Sequence, residues 1–369
     1  MEPGPPVAIR AEVDLDAIRH NARLLLARAG DDAVMGVVKA DAYGHGAVPV
    51  ARALAAASVE RFAVATVPEA IELRDAGIEA PILVLAAPLD AFLGAYAEHD
   101  LEAVVSSPEV AAAVQRRGGL TVHVKVDTGM HRLGLDPATA ADTVRLLGAA
   151  PGVTVAALWT HLATADAADP SFALEQVRRF DGVLAALGDD APPLVHVGNG
   201  PAVLRLPRLT SRRALVRLGG ALYGLASDRA LAPSMEALRP AMRLVTRVVH
   251  VQTVAAGETV SYGRTWTAER PTCVATLAAG YADGVPRALS NVGTVGLGGA
   301  RCPIIGRVCM DMLMVDASAA PDVRRGDEAV LFGPGGPSAL DAAEAAGTVS
   351  YELTSGLTAR VPRVHHPEP

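Results

Sequence analysis

The chain has 369 residues, half of them hydrophobic, and a formal net charge of −7 spread without a basic run. That balance argues against nucleic acid or an anionic membrane surface as a partner, and no apolar stretch approaches the ~20 residues that span a bilayer. The first residues are proline-rich and acidic without an apolar segment, so no secretory signal is read there and a cytoplasmic location is expected.

Before about residue 220 the sequence holds eight short apolar runs, at 33–38, 62–66, 82–86, 101–105, 121–126, 153–159, 194–197 and 214–218. Each reads as a strand buried on both faces. Alanine-rich amphipathic segments lie between most of them, at 47–57, 68–76, 108–117, 137–148 and 171–187. Several open with Pro, Ser or Asp and close at Gly, which is how helix ends are punctuated. Alternating strand and helix units predict an α/β fold, a TIM-type (β/α)8 barrel over residues 10–235. After about residue 240, Val, Thr and Gly rise. Segments 243–254, 273–277, 293–297, 301–308, 312–315 and 328–331 read as strands, with a short helix near 340–346. A mostly β domain over 236–369 is predicted, and the piece Val7–Val13 is expected to pair with it. GLGG at 296–299 and GPGG at 333–336 read as β-turns. Three cysteines form no CxxC and ten histidines include no HExxH, so reduced thiols and no bound metal are expected.

The most informative segment is Val37-Val38-Lys39-Ala40-Asp41-Ala42-Tyr43-Gly44-His45-Gly46, an apolar run ending in a lysine and a glycine-punctuated turn. A lysine at a strand's C-terminal end is partly desolvated, which lowers its pKa and frees the amine as a nucleophile. Other polar candidates fall at the same barrel rim: Lys125 to Arg132 after the fifth run, His161 after the sixth, Asn199 after the seventh, and Arg217 to Gly220 at the eighth. In a barrel, chemistry gathers at that rim. Arg132 has the planar fork that suits bidentate carboxylate capture.

KADAYGHG closely resembles the cofactor-lysine signature of the alanine racemases, which use pyridoxal 5'-phosphate (PLP). KVDTGMHRLGL at 125–135, THLATAD at 160–166, TVSYG at 259–263, GRVCMDM at 306–312, AAGYADG at 278–284 and SYELTSG at 350–356 extend the resemblance over nearly the whole chain. It implies that Lys39 carries PLP as a Schiff base, that Tyr43 binds the phosphate, and that Tyr223, Gly219 and Gly220 join the phosphate cup. It implies that Arg217 faces the pyridine nitrogen and that Lys125 is carbamylated and braces Arg132. It places His161 on a catalytic arginine–tyrosine group. Tyr262, from the partner subunit of a head-to-tail homodimer, would be the second base opposite Lys39. The Met310 N–H would hold the substrate carboxylate with Cys309 and Asp311 beside it, and Tyr281 and Tyr351 would line the substrate approach. The chain departs from the family pattern at Asn199-Gly200, where Asn-Ser is usual, and at Gly219-Gly220, where Gly-Ile is usual. Weaker cofactor affinity is expected from the lost serine hydroxyl. The implied activity is alanine racemisation, supplying D-alanine for peptidoglycan. A racemase for serine or a broader set on the same scaffold, and a non-catalytic PLP carrier, are the alternatives.

Overall fold

The computed structural model describes residues 8–207, 209–210 and 214–367. The chain opens with β1 (Arg10–Asp14) and helix α1 (Leu15–Ala29), then enters the barrel. The barrel strands are β2 (Ala33–Val37), β3 (Arg61–Val64), β4 (Ile82–Val84), β5 (Leu101–Val105), β6 (Leu120–Lys125), β7 (Val153–Trp159), β8 (Leu194–His196) and β9 (Leu215–Leu218). Each of the eight apolar runs supplies one of them. They pair in parallel in the order β8-β7-β6-β5-β4-β3-β2-β9, and parallel bridges Val195–Ala214 and Asn199–Arg217 close the ring.

The outer helices are α2 (Ala47–Ala56), α3 (Val67–Asp75), α4 (Leu93–Glu98), α5 (Pro108–Arg117), α6 (Pro137–Gly148), α7 (Ser171–Leu187) and the short α8 (Gly200–Arg205). Their starts are set by local chemistry. The Asp14, Ser107 and Asp136 side chains each accept a first-turn N–H, and Thr66 with Glu69 forms a capping box. The sequence reading has no counterpart for α1 or α4. No long helix follows β9; a 3-10 turn, Gly220–Tyr223, stands there. Helix α1 packs against it, and the buried Asn21 amide donates to the carbonyls of Leu222 (3.0 Å) and Arg239 (2.8 Å). The barrel's last outer helix is thus supplied from the start of the chain.

The second domain is mostly β. Its strands are β10 (Met242–Val254), the small hairpin β11 (Thr259–Val260) and β12 (Trp266–Thr267), then β13 (Thr272–Leu277), β14 (Thr294–Leu297), β15 (Ala300–Pro303), β16 (Leu313–Asp316), β17 (Glu328–Phe332) and β18 (Arg363–His366). The main sheet runs β15-β14-β17-β10-β1-β18, with β13 joining β10 to β16. Arg10–Val13 pairs with β10, and Ala11–Asp14 with β18, so the N-terminal segment belongs to this sheet; Val7 lies outside the described residues. Helices α9 (Ala339–Ala346) and α10 (Ser350–Ser355) precede β18.

One expected strand is corrected. The 301–308 segment pairs only as far as Pro303, with a single bridge at Ile304, and GRVCMDM is a loop. Gly306 sits at φ 71°, and a Cβ there would lie 2.7 Å from the Val260 carbonyl. A left-handed residue pressed against another backbone turns the chain out of the sheet.

Candidate active site

Lys39 stands two residues past the end of β2, at the barrel's C-terminal rim. The four residues after it, Ala40 to Tyr43, all adopt left-handed angles, with φ between 52° and 55°. Each non-glycine residue held this way costs about 1–2 kcal/mol, and such strain persists only where surroundings impose it. The imposing contacts are explicit. The Ala40 N–H donates to Glu69 (2.7 Å), and Ala47 N–H donates to the Asp41 carboxylate (2.7 Å). From the second domain, Arg363 donates to the Gly44 carbonyl (3.0 Å) and His365 Nε2 to the His45 carbonyl (2.8 Å). The turn carries Tyr43 back over the barrel mouth.

Cations converge on Lys39. Partial burial lowers its pKa first, Arg132 lowers it further, and Glu69 opposes them. Lys125, the last residue of β6, is buried, and desolvation with Arg217 and Arg132 pulls its pKa down to about 8. Its ammonium lies 4.7 Å from the Trp159 ring centroid. Arg132 is exposed, with no hydrogen-bond or ion-pair partner among the described residues. Arg217, inside β9, is buried, and desolvation pulls it down to about 9. Among the described residues its guanidinium meets neutral acceptors: the carbonyls of His196 (3.0 Å), Thr160 (2.9 Å) and Val197 (3.4 Å), with His196 Nδ1 and His161 Nδ1 each 3.1 Å away. His161 is held neutral by burial and by four cations, Arg217, Arg132, Lys125 and Lys39. The arginine that the His161 ring contacts is Arg217. A rim this rich in positive charge is made to receive anions.

A second feature fits a phosphate. Tyr43 packs 5.1 Å from the Tyr223 ring and edge-on to Tyr351 at 5.5 Å. A Cβ on Gly219 would fall 2.5 Å from the Tyr43 hydroxyl oxygen, and one on Gly220 would fall 2.3 Å from the Tyr351 ring. Glycine at both positions lets tyrosine hydroxyls and bare backbone N–H groups share one small space. The Gly220 departure is therefore filled by Tyr351 rather than left open. Gly200 is different: a Cβ there would meet Ala221, its methyl at 3.1 Å and its backbone nitrogen at 3.9 Å. Asn199 caps α8 by accepting from the Ala202 N–H at 3.1 Å. The Tyr223 hydroxyl is already committed, donating to the Val37 carbonyl at 2.9 Å. Nucleophilic amine, cationic rim and glycine–tyrosine cup together suit PLP.

The remaining candidates sit elsewhere. Tyr262 lies in the turn between β11 and β12, 72 % exposed. With Tyr281, Arg287 and the segment Arg307 to Asp311 it borders an open cleft of about 420 Å³. The Met310 N–H has no acceptor among the described residues, and Asp311 pairs with Arg360 at 2.8 Å. No hydrogen bond, ion pair or ring contact joins this set to the Lys39 set among the described residues. Tyr351 packs on Tyr43, whereas Tyr281 borders the cleft beside Tyr262.

Sequence reading passed over the polar residues inside the strands. Arg61, Glu102, His123, Trp159 and His196 form a buried polar vein under Arg217. The signal was a charged or imidazole side chain inside an apolar run, as in Leu101-Glu102-Ala103-Val104-Val105 and Val122-His123-Val124. In a strand buried on both faces, such a residue must find partners in the barrel interior.

Comparison with known proteins agrees with this geometry. The family model "Alanine racemase, N-terminal domain" matches residues 13–227, and "Alanine racemase, C-terminal domain" matches 241–365. The alanine racemase of Nostoc sp. is 42 % identical over 96 % of this chain and 94 % of its own. The solved alanine racemase of E. faecalis superposes with a TM-score of 0.92 at 36 % identity, covering 99 % of this chain and 100 % of that one. An alanine racemase of Bacillus anthracis, solved with bound L-Ala-P, gives 0.89 at 35 % identity, with 98 % and 96 % covered. With both domains matched and relatives aligned from end to end, the chain belongs to the alanine racemase family, enzymes of the isomerase class.

Proposed function

We propose that the protein interconverts L- and D-alanine with PLP held on Lys39, using Lys39 and Tyr262 of a second subunit as the two bases. The observation that carries this reading is the cationic rim. Lys39, Lys125, Arg132 and Arg217 crowd one mouth, where among the described residues Glu69 opposes Lys39 and Asp127 opposes Lys125, beside a glycine–tyrosine cup. Such a site favours a phosphate and a carboxylate together. When bound, PLP supplies an electron-withdrawing ring that acidifies the Cα–H of an amino acid joined to it.

The chain's own residues then divide the work. Tyr43, Tyr351 and the Gly219–Gly220 backbone hold the phosphate, and Tyr223 supports the floor through Val37. Arg217 faces the ring nitrogen and, as a guanidinium, does not surrender a proton to it. Arg132 and the Met310 N–H hold the substrate carboxylate. Lys125, with its amine pKa near 8, is partly neutral at physiological pH and can take up carbon dioxide. The resulting carbamate would be an anion between Arg132 and Arg217. Lys39 Nζ holds the proton on one face of Cα and Tyr262 Oη on the other. The exposure of Tyr262 supports its use across a head-to-tail homodimer, whose contact would exclude water from the reacting carbon. The product fits a cytoplasmic supply of D-alanine for peptidoglycan.

The test is chiral analysis of purified protein incubated with PLP and L-alanine, with L-serine and L-lysine in parallel. D-Alanine formed faster than the other D-amino acids supports the reading. No D-alanine from protein that holds PLP rules it out.

A further inference from the structure

We infer that Glu102 is a positioning residue for Arg217, acting through His123 and His196. The four side chains cross the barrel interior from β5 through β6 and β8 to β9. Glu102 Oε2 lies 3.0 Å from His123 Nε2. His123 Nδ1 lies 2.8 Å from His196 Nε2. His196 Nδ1 lies 3.1 Å from Arg217 Nη1. Both imidazoles are fully buried, and Glu102 and Arg217 nearly so.

The proton positions follow from which groups can only donate and which can only accept. A guanidinium has no lone pair to offer, so His196 Nδ1 must be the acceptor toward Arg217. His196 then carries its proton on Nε2 and donates to His123 Nδ1. His123 in turn carries its proton on Nε2, where the Glu102 carboxylate faces it and no other acceptor serves it. That last contact is short but off the line of a well-aligned hydrogen bond, so the carboxylate acts mainly by its field. Every donor in this arrangement faces an acceptor. Reversing either tautomer sets two donors against each other in a dry interior, where an unpaired polar group is costly. A cationic His123 would do the same, because it would force His196 to present Nδ1–H to Arg217.

Two further contacts keep the vein in place. Arg61 donates to the other Glu102 oxygen, which aims the carboxylate; against the cost of burial, His123 and then Arg61 hold its pKa below the usual value. The Trp159 indole stacks on His196 at 5.2 Å with planes 4° apart and lies 4.8 Å below the Arg217 guanidinium. Glu102 therefore reaches the reaction through two rings, by fixing the lone pair that Arg217 donates to. Its importance for turnover rests on the proposal that Arg217 faces the PLP ring.

The experiment is 15N NMR of histidine tautomers in full-length protein with and without PLP, on wild type, Glu102→Gln, Glu102→Leu and His123→Phe. In wild type both His123 and His196 should be neutral and carry the proton on Nε2. Glu102→Gln keeps an acceptor oxygen and should keep both tautomers. Glu102→Leu and His123→Phe should leave His196 as a tautomer mixture and lower kcat about tenfold to a hundredfold, with KM for alanine little changed and Glu102→Gln much nearer wild type. The inference is overturned if wild-type His196 carries its proton on Nδ1, if either ring is a cation at pH 7, or if a folded Glu102→Leu protein keeps a single His196 tautomer. The wild-type spectrum needs no variant to fold. If the PLP reading alone were wrong, the tautomers would still be as stated and only the kinetic effect would vanish.

Discussion

Lys39 and Lys125 are both lysines in a positive field, yet burial separates their roles. Lys39 is only half-buried and remains reachable, whereas Lys125 is sealed against Trp159. For Lys125 the sign of the pH effect can be worked out. Its folded pKa, about 8, lies below the ordinary 10.5, so folding forces a charge into a site that disfavours it. Below pH 8 both folded and unfolded chains carry the proton and the full penalty is present. Between about 8 and 10.5 the folded amine is already neutral while the unfolded one is still charged, so stability rises with pH. Lys125→Met should therefore stabilise the PLP-free protein at pH 7 in carbon-dioxide-free buffer, by up to about 3 kcal/mol. The advantage should shrink toward pH 10.5, as thermal unfolding would record. An advantage that is absent or independent of pH would refute this account of the Lys125 site. Lys39 and Arg132 were legible in the sequence because they follow apolar runs, and Lys125 and Arg217, each one residue inside the end of its run, because their segments carry the family resemblance. Glu102, His123 and His196 were not, because inside a run their neighbours read only as strand.

The Lys39 loop is the element on which the site depends. A left-handed turn of four non-glycine residues cannot be read from composition; it exists because the second domain clamps it. Gly44 marks the clamp: at φ 81°, a Cβ there would sit 1.9 Å from the Thr354 carbonyl oxygen on α10. Gly77 shares the angle, φ 82°, but has open space around it. Gly44→Ala should cost at least about 2 kcal/mol by urea unfolding, and Gly77→Ala only about 1. Equal losses would mean that the clamp from α10 is idle. The barrel strands were legible because burial on both faces leaves a short, mostly apolar run without helical periodicity. The 301–308 strand was overread because its alternation continues past Gly306, where contact with Val260 bends the chain away. Helix α1 carries its apolar residues on one face and no proline or glycine signal inside, yet its place in the barrel ring depends on the distant 220–223 turn.

At the scale of the whole molecule, the two domains each hold half of the site proposed above. The barrel presents Lys39, Arg132 and Arg217, and the β domain presents Tyr262, Met310 and Tyr281 on an open cleft. Sequence pattern named both sets of candidates but could not say whether one chain closes them on each other. Among the described residues no direct bond joins them, and the exposure of Tyr262 fits a site completed by a second copy. The central claim is that Lys39 of one subunit works with Tyr262 of another. The most direct measurement mixes two inactive variants, Lys39→Ala and Tyr262→Phe, unfolds and refolds them together, and follows alanine racemisation. Half the dimers formed at random are mixed, and each mixed dimer has one intact site of two, so activity should return to about one quarter of wild type. Two inactive parents that stay inactive after dimers have exchanged would contradict the shared site, and a Tyr262→Phe parent that is active alone would contradict the second base.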